Sequence, residues 1–303
     1  MTTRYALSYD DARSRRVEIF AETRTAFDRA PGFYEAIAMQ NLAAWHRRRA
    51  DRTEHPATPI QAEVRVIRGD WGDVTGQLTR EFGEIFAVLN MASSRYRGGG
   101  VYEGSHAQEE NMFRRTNCYQ GAETECQWPG SNEYIKKMTE LVSGQNGQVL
   151  LSIEHPRVCV RGREDSTRPD LGYWWLRNQD IFPFYELRSA AVNVKRVGYI
   201  DEAEMRKRIG AQFSTLLACG VRHVVFGAFG CGAFRNPARA VAEIYRDEII
   251  KHRDQFDVIA FAILSTGEQP DNYTVFSGVL NRLEVSGISE LAANAGSGVG
   301  QGH

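Results

Sequence analysis

Short, near-continuous apolar runs limit what this chain can fold into more than any other feature. Residues 85–89 read Ile-Phe-Ala-Val-Leu and residues 258–264 read Val-Ile-Ala-Phe-Ala-Ile-Leu. Both are too short for a core helix and too apolar for a strand with one wet face, which is the pattern of strands buried on both sides. Segments 64–67, 149–153, 189–194 and 221–226 read as further strands. Helical stretches lie between them. Residues 13–29 and 33–49 read as helices, and Met205, Ile209, Phe213, Leu216 and Leu217 recur at helical spacing within 201–219. Val241, Ile244, Tyr245 and Ile249 do the same after Asn236 and Pro237, which read as the N-cap and first residue of that helix. Strands interleaved with helices throughout imply an α/β fold, a three-layer sandwich in one domain.

The chain has 303 residues, 42% hydrophobic and 25% charged, enough for a sizeable core and unlike a disordered or fibrous protein. Its 37 lysines and arginines nearly balance 38 aspartates and glutamates, so no overall field draws it to nucleic acid or an acidic membrane. No direct nucleic-acid or membrane binding is expected, and an anionic ligand would need a local site. No stretch approaches the ~18 apolar residues that span a bilayer, and residues 1–10 lack the apolar core of a secretory signal, so the expected location is cytoplasmic. Cys118, Cys126, Cys159, Cys219 and Cys231 are odd in number, scattered and without a Cys-x-x-Cys pair, which argues against disulfides and a structural metal. The histidines are equally dispersed. Only His106 falls near a candidate site.

That candidate begins with Gly98, Gly99 and Gly100 and continues after a short spacer to Gln108, Glu109 and Glu110. Three glycines let backbone approach a bulky phosphate-bearing ligand where any Cβ would collide, and leave amides for anionic oxygens. Adjacent carboxylates suit the cleavage of a glycosidic bond. One protonates the leaving oxygen and then activates water, while its neighbour holds a sugar hydroxyl and repels the acid's charge. Residues 107–115 are good helix formers, which places Gln108, Glu109 and Glu110 near a helix N-terminus. A second glycine loop, Gly230-Cys231-Gly232, lies between the strand 221–226 and a helix start, the arrangement that gathers amides around phosphate.

Triple glycine, spacer and Gln-Glu-Glu resemble the signature of the poly(ADP-ribose) glycohydrolases, a branch of the macrodomain superfamily, in their microbial form. The segment from Val224 to Pro237 resembles the strand, Gly-x-Gly loop and helix start that macrodomains set around the ADP-ribose diphosphate. The resemblance implies a macrodomain-like α/β/α sandwich with a mixed central sheet and extra N-terminal helices, over residues 1–283, with 284–303 as a flexible tail. It implies a hydrolase acting on poly(ADP-ribose) or ADP-ribosylated proteins and binding ADP-ribose, with no cofactor. The oligomeric state stays open. Glu110 would be the general acid and base, Glu109 would orient a ribose hydroxyl, and Gln108 would be a positioning group. Asn90 would contact the distal ribose or brace the glycine loop. Gly98, Gly99, Gly100, Gly230, Cys231, Gly232 and Ala233 would supply backbone around the diphosphate, and Phe234 would pack on the ribose. Two alternatives stand beside this: a hydrolase of single ADP-ribosyl groups or small ADP-ribose conjugates, and a non-catalytic ADP-ribose reader.

Some residues depart from the resemblance. Arg97 precedes the glycines, where a cation would suit phosphate, and Arg114 and Arg115 read as structural ion-pair partners. In residues 157–184, Tyr173, Trp174 and Trp175 lie among five arginines, and core plug and purine stack are equal readings.

Overall fold

The structure is a computed structural model and describes residues 7–51, 62–265 and 271–281; the expected tail 284–303 lies outside the described residues. The helices are α1 (Tyr9–Arg29), α2 (Phe33–Ala50), α3 (Trp71–Phe82), α4 (Gln108–Arg115), α5 (Lys136–Val142), α6 (Val194–Val197), α7 (Glu202–Ala218), α8 (Ala238–His252) and α9 (Asn272–Leu280). The strands are β1 (Glu63–Arg68), β2 (Ala87–Met91), β3 (Leu150–Cys159), β4 (Phe182–Ser189), β5 (His223–Phe226) and β6 (Val258–Ile263).

One six-stranded sheet has the order β1-β6-β5-β2-β4-β3. Its strands run parallel except β3, which lies antiparallel on β4, so the sheet is mixed as expected. Alternation along each strand divides the core. Ala87, Leu89, Val224, Phe226, Ile259 and Phe261 face one side, where α7, α8 and α9 cover them. Val88, Val225, Val258, Ala260, Phe182 and Phe184 face the other, against Phe20 of α1, Trp45 of α2, Val74 and Leu78 of α3, and Met112 and Phe113 of α4. Burying both faces explains why the strand sequences are so apolar. α2 closes onto α3 where Gly83 ends that helix at φ +64, and a Cβ there would lie 2.6 Å from His46 Cα.

Two local expectations shift. The strand expected at 189–194 ends at Ser189, and its body, Phe182–Ser189, contains Pro183, Glu186 and Arg188. Ala190, Ala191 and Val192 are buried, but as a loop. The helix after the second glycine loop starts at Ala238 with Pro237 as its cap. Asn236 does not cap it, because its Nδ2 donates to the carbonyls of Val192 at 2.7 Å and Gly230 at 2.9 Å.

Candidate active site

The loops that follow β2, β4 and β5 share one rim at the carboxyl ends of these parallel strands, the edge where open α/β sheets hold ligands. β2 runs beside β4 along its whole length but pairs β5 only at Ala87 and Val88. Beyond that point the sheet opens. Asn236 ties the loop after β5 to the loop after β4 through its two bonds. Gly230 sits so close to the latter that a Cβ would fall 2.5 Å from that of Ala191. Two motifs more than a hundred residues apart in the chain thus flank the same opening.

α4 carries the carboxylates to this rim. Gln108, its first residue, accepts from Met91 N at 2.9 Å and donates to Leu89 O at 2.9 Å, pinning the helix start to the end of β2. Glu109 is 3% exposed and accepts Gly98 N at 2.9 Å on one oxygen and Ser93 N at 2.7 Å on the other. Glu110 is 7% exposed and accepts Gly100 N at 2.8 Å on Oε1, while its Oε2 is buried with no partner. Both carboxyl groups converge over Gly99, held at φ +54. A Cβ there would collide with Glu110 Oε1 and lie 3.0 Å from Glu109 Oε2. Burial pushes the Glu109 carboxyl well above the ordinary carboxylate range and the adjacent Glu110 pushes the same way, against its two N–H bonds and the Arg188 charge. Two first-turn acids also complement the helix dipole.

The two glycine loops use their amides differently. Gly98 and Gly100 donate to the glutamates, and Gly99 donates to Tyr96 O at 3.0 Å, so all three amides of the first loop are engaged within the protein. None is left for an anion, contrary to the expectation from composition. In the second loop Cys231 N donates to Ala228 O, but the N–H groups of Gly232, Ala233 and Phe234 have no partner among the described residues. Gly232 and Ala233 are exposed, and a Cβ on Gly232 would meet nothing within 4 Å. Phe234 packs partly on the core. The Cys231 thiol is buried and pushed up to about 12, so it packs rather than reacts.

Beneath Glu109 lies an ionic network that the sequence reading missed. Arg188 is fully buried and bonds Glu186 at 2.9 Å, Glu125 at 2.6 Å and the Tyr134 hydroxyl at 3.2 Å. Burial alone would raise Glu186, but Arg188 and Arg157 outweigh it and hold that carboxyl down at about 2. Asn90, fully buried, donates to Glu186 at 2.7 Å and so braces this network rather than the glycine loop. Arg97 belongs here too, on Glu125 and the carbonyls of Cys118, Tyr119 and Gln120, with no donor turned to a phosphate. The available signal was Glu186 and Arg188, two apart on one face of an otherwise apolar strand.

Of the two arginines expected as ion-pair partners, Arg115 forms an ion pair and Arg114 bonds neutral groups. Arg115 pairs with Asp70 at 2.6 Å, and Arg114 bonds the Tyr173 hydroxyl at 3.0 Å. Tyr173 is a core residue as the plug reading expected, whereas Trp174 and Trp175 are exposed, Trp175 stacked on Tyr34 with the Arg161 guanidinium 3.8 Å from its ring centre. His106 is exposed. A cavity of about 330 Å³ lies by Glu35, Asn117 and Arg157, and an open groove of about 580 Å³ lies along α1 beside Trp175. Neither is lined by a residue of the two glycine loops.

The sequence model described as microbial-type PARG, catalytic domain, matches residues 5–139. No curated protein matches the chain. Among solved structures, poly(ADP-ribose) glycohydrolase from Thermomonospora curvata is similar at a TM-score of 0.60 and 21% identity, over 88% of this chain and 99% of that one. The enzyme from Deinococcus radiodurans in complex with ADP-ribose is similar at 0.55 and 22%, over 81% and 92%. These likenesses show a shared macrodomain-like fold.

Proposed function

From the premise that residues 5–139 fall within the microbial-type poly(ADP-ribose) glycohydrolase catalytic-domain family, we propose that this chain is a hydrolase cutting the ribose glycosidic bond of poly(ADP-ribose) to release ADP-ribose. The observation that carries this reading is the pair of buried carboxyl groups over Gly99, one with an oxygen lacking any partner, across the strand ends from three consecutive free amides. The solved relatives bound to ADP-ribose and to the inhibitor ADP-HPD add the ligand class.

In this reading the diphosphate lies on the amides of Gly232, Ala233 and Phe234, and Phe234 limits the distal ribose. Glu110 supplies the proton. Its Oε1 is taken by Gly100 N–H, so the proton sits on Oε2 and passes to the leaving ribose oxygen as the C1–O bond breaks. The ring then carries oxocarbenium charge, which the Glu109 carboxyl and the diphosphate stabilise. Water adds to C1 and returns its proton to Glu110, completing the cycle. Gln108, Gly98, Gly99 and Gly100 act on this chemistry by holding the carboxylates.

The test is release of free ADP-ribose from protein carrying poly(ADP-ribose), beside protein carrying a single ADP-ribose, with Glu110→Gln as control. Loss of polymer by the parent and a drop of about 10³-fold in the variant are expected. Release from the single-unit substrate alone would move the chain to the mono-ADP-ribosyl class. Native turnover in the variant would remove Glu110 from the mechanism.

A further inference from the structure

The described residues hold many paired arginines, but three cations beside the second glycine loop stand alone. Lys195 and Arg196 lie in α6, and Lys195 N donates to Phe234 O at 3.2 Å, which places α6 against the end of the loop where Arg235 follows. All three residues are exposed, and none forms an ion pair among the described residues. The nearest acid along the chain, Asp201, uses its carboxylate to cap α7 at Glu204 N. Arg235 is also one of three non-glycine residues at positive φ among the described residues, at +57, where glycine would fit with less strain. In a chain with net charge −1, three unpaired cations around one backbone hydrogen bond form a local positive surface. Tyr199, exposed just beyond α6, adds an aromatic ring to its margin.

We propose that Lys195, Arg196 and Arg235 are a docking surface for the diphosphate of a neighbouring unit in a poly(ADP-ribose) chain, so that the protein grips polymer beyond the unit it cleaves. The inference rests on the functional reading above and extends it to substrate length. The free amides of Gly232, Ala233 and Phe234 suit one diphosphate held close against backbone. Long exposed cations suit a second one, held at the surface in water and screened by salt. A single ADP-ribose has no second diphosphate, so the surface distinguishes polymer from monomer.

The experiment uses the full chain with Glu110→Gln, so that bound polymer persists, with and without Lys195→Gln, Arg196→Gln and Arg235→Gly together. Binding of poly(ADP-ribose) of defined length and of ADP-ribose is measured across a salt series. The added substitutions should weaken polymer binding about tenfold at low salt and make its log–log salt slope shallower by about 2, with ADP-ribose affinity within twofold. Unchanged polymer binding would overturn the proposal, and so would an equal loss for ADP-ribose, which would fold the cations into the monomer site. Single-stranded DNA binding the Glu110→Gln protein as tightly as polymer would overturn the choice of occupant. If that protein binds neither ADP-ribose nor polymer, the functional reading fails and this inference fails with it. Should the combined variant unfold, Arg235→Gly alone, which suits the left-handed backbone, should still flatten the slope by about 0.7.

Discussion

The two glycine loops on the rim are alike in composition and opposite in use. In the first, residues 98–100 turn two amides inward onto Glu109 and Glu110, and the missing Cβ of Gly99 leaves the space where both carboxyl groups sit. In the second, Gly232 has open space around it, and three successive amides have no partner among the described residues. One loop spends two amides on the carboxyl groups, and the other keeps three unspent among the described residues. Glycine can be required because protein fills the place of its side chain, or because something outside must come close; only the surroundings tell which.

Gly99→Ala should test the first loop most severely. Its Cβ would enter the space of Glu110 Oε1 at a backbone angle that disfavours side chains, so turnover should fall about 10³-fold and stability by about 2 kcal/mol. Both are read from kcat and thermal unfolding without ligand, and a variant native in both would break the comparison. Glu109→Gln comes next, with turnover reduced about 10²-fold. Its stability effect has a definite sign. Because the folded carboxyl is raised above its unfolded value, its contribution is full below the unfolded pKa and lost as pH rises through the folded one. The amide's NH2 would face one of the two N–H groups that Glu109 accepts, so the variant should lose Tm, and lose less at pH 8 than at pH 4; a loss larger at pH 8 would show that Glu109 is stabilised as an anion. Gly232→Ala should have the smallest effect. Stability should change by less than about 0.5 kcal/mol while ADP-ribose affinity drops about tenfold, and calorimetric titration showing native affinity would place the diphosphate elsewhere.

Much of this was legible in the sequence, for physical reasons that differ by region. Doubly buried strands announce themselves as apolar runs, so β2 and β6 were found within two residues of their observed ends. β4 was misplaced because Glu186 and Arg188 neutralise each other inside the sheet, and a buried ion pair looks like surface in a one-dimensional reading. The adjacent Ala190, Ala191 and Val192 are apolar because they pack under the rim, which imitates a strand. Asn236 looked like a helix cap because cap and loop tie demand the same short polar side chain, and here the tie prevails. In the site, the adjacency of Glu109 and Glu110 was readable, but the destination of the glycine amides was not, since it depends on contacts ten residues along the chain.

The Gln108 side chain has a wider consequence. Tyr185 N and Ala92 N bond across the β2–β4 side at Phe86 O and Ser189 O, so Leu89 O and Met91 N point the other way, toward the place that β5 vacates when the strands part. The Gln108 amide fills that place, one donor and one acceptor, as a single residue of a missing strand would. The chemical pair is therefore indexed to the lattice of the sheet itself, with the index mark immediately ahead of Glu109. Residues 101–107 have anchors of their own, Val101 in the core and the Ser105 carbonyl on Arg114, so the carboxyl groups are located twice over, by one amide on the sheet edge and by the loop that carries the glycines.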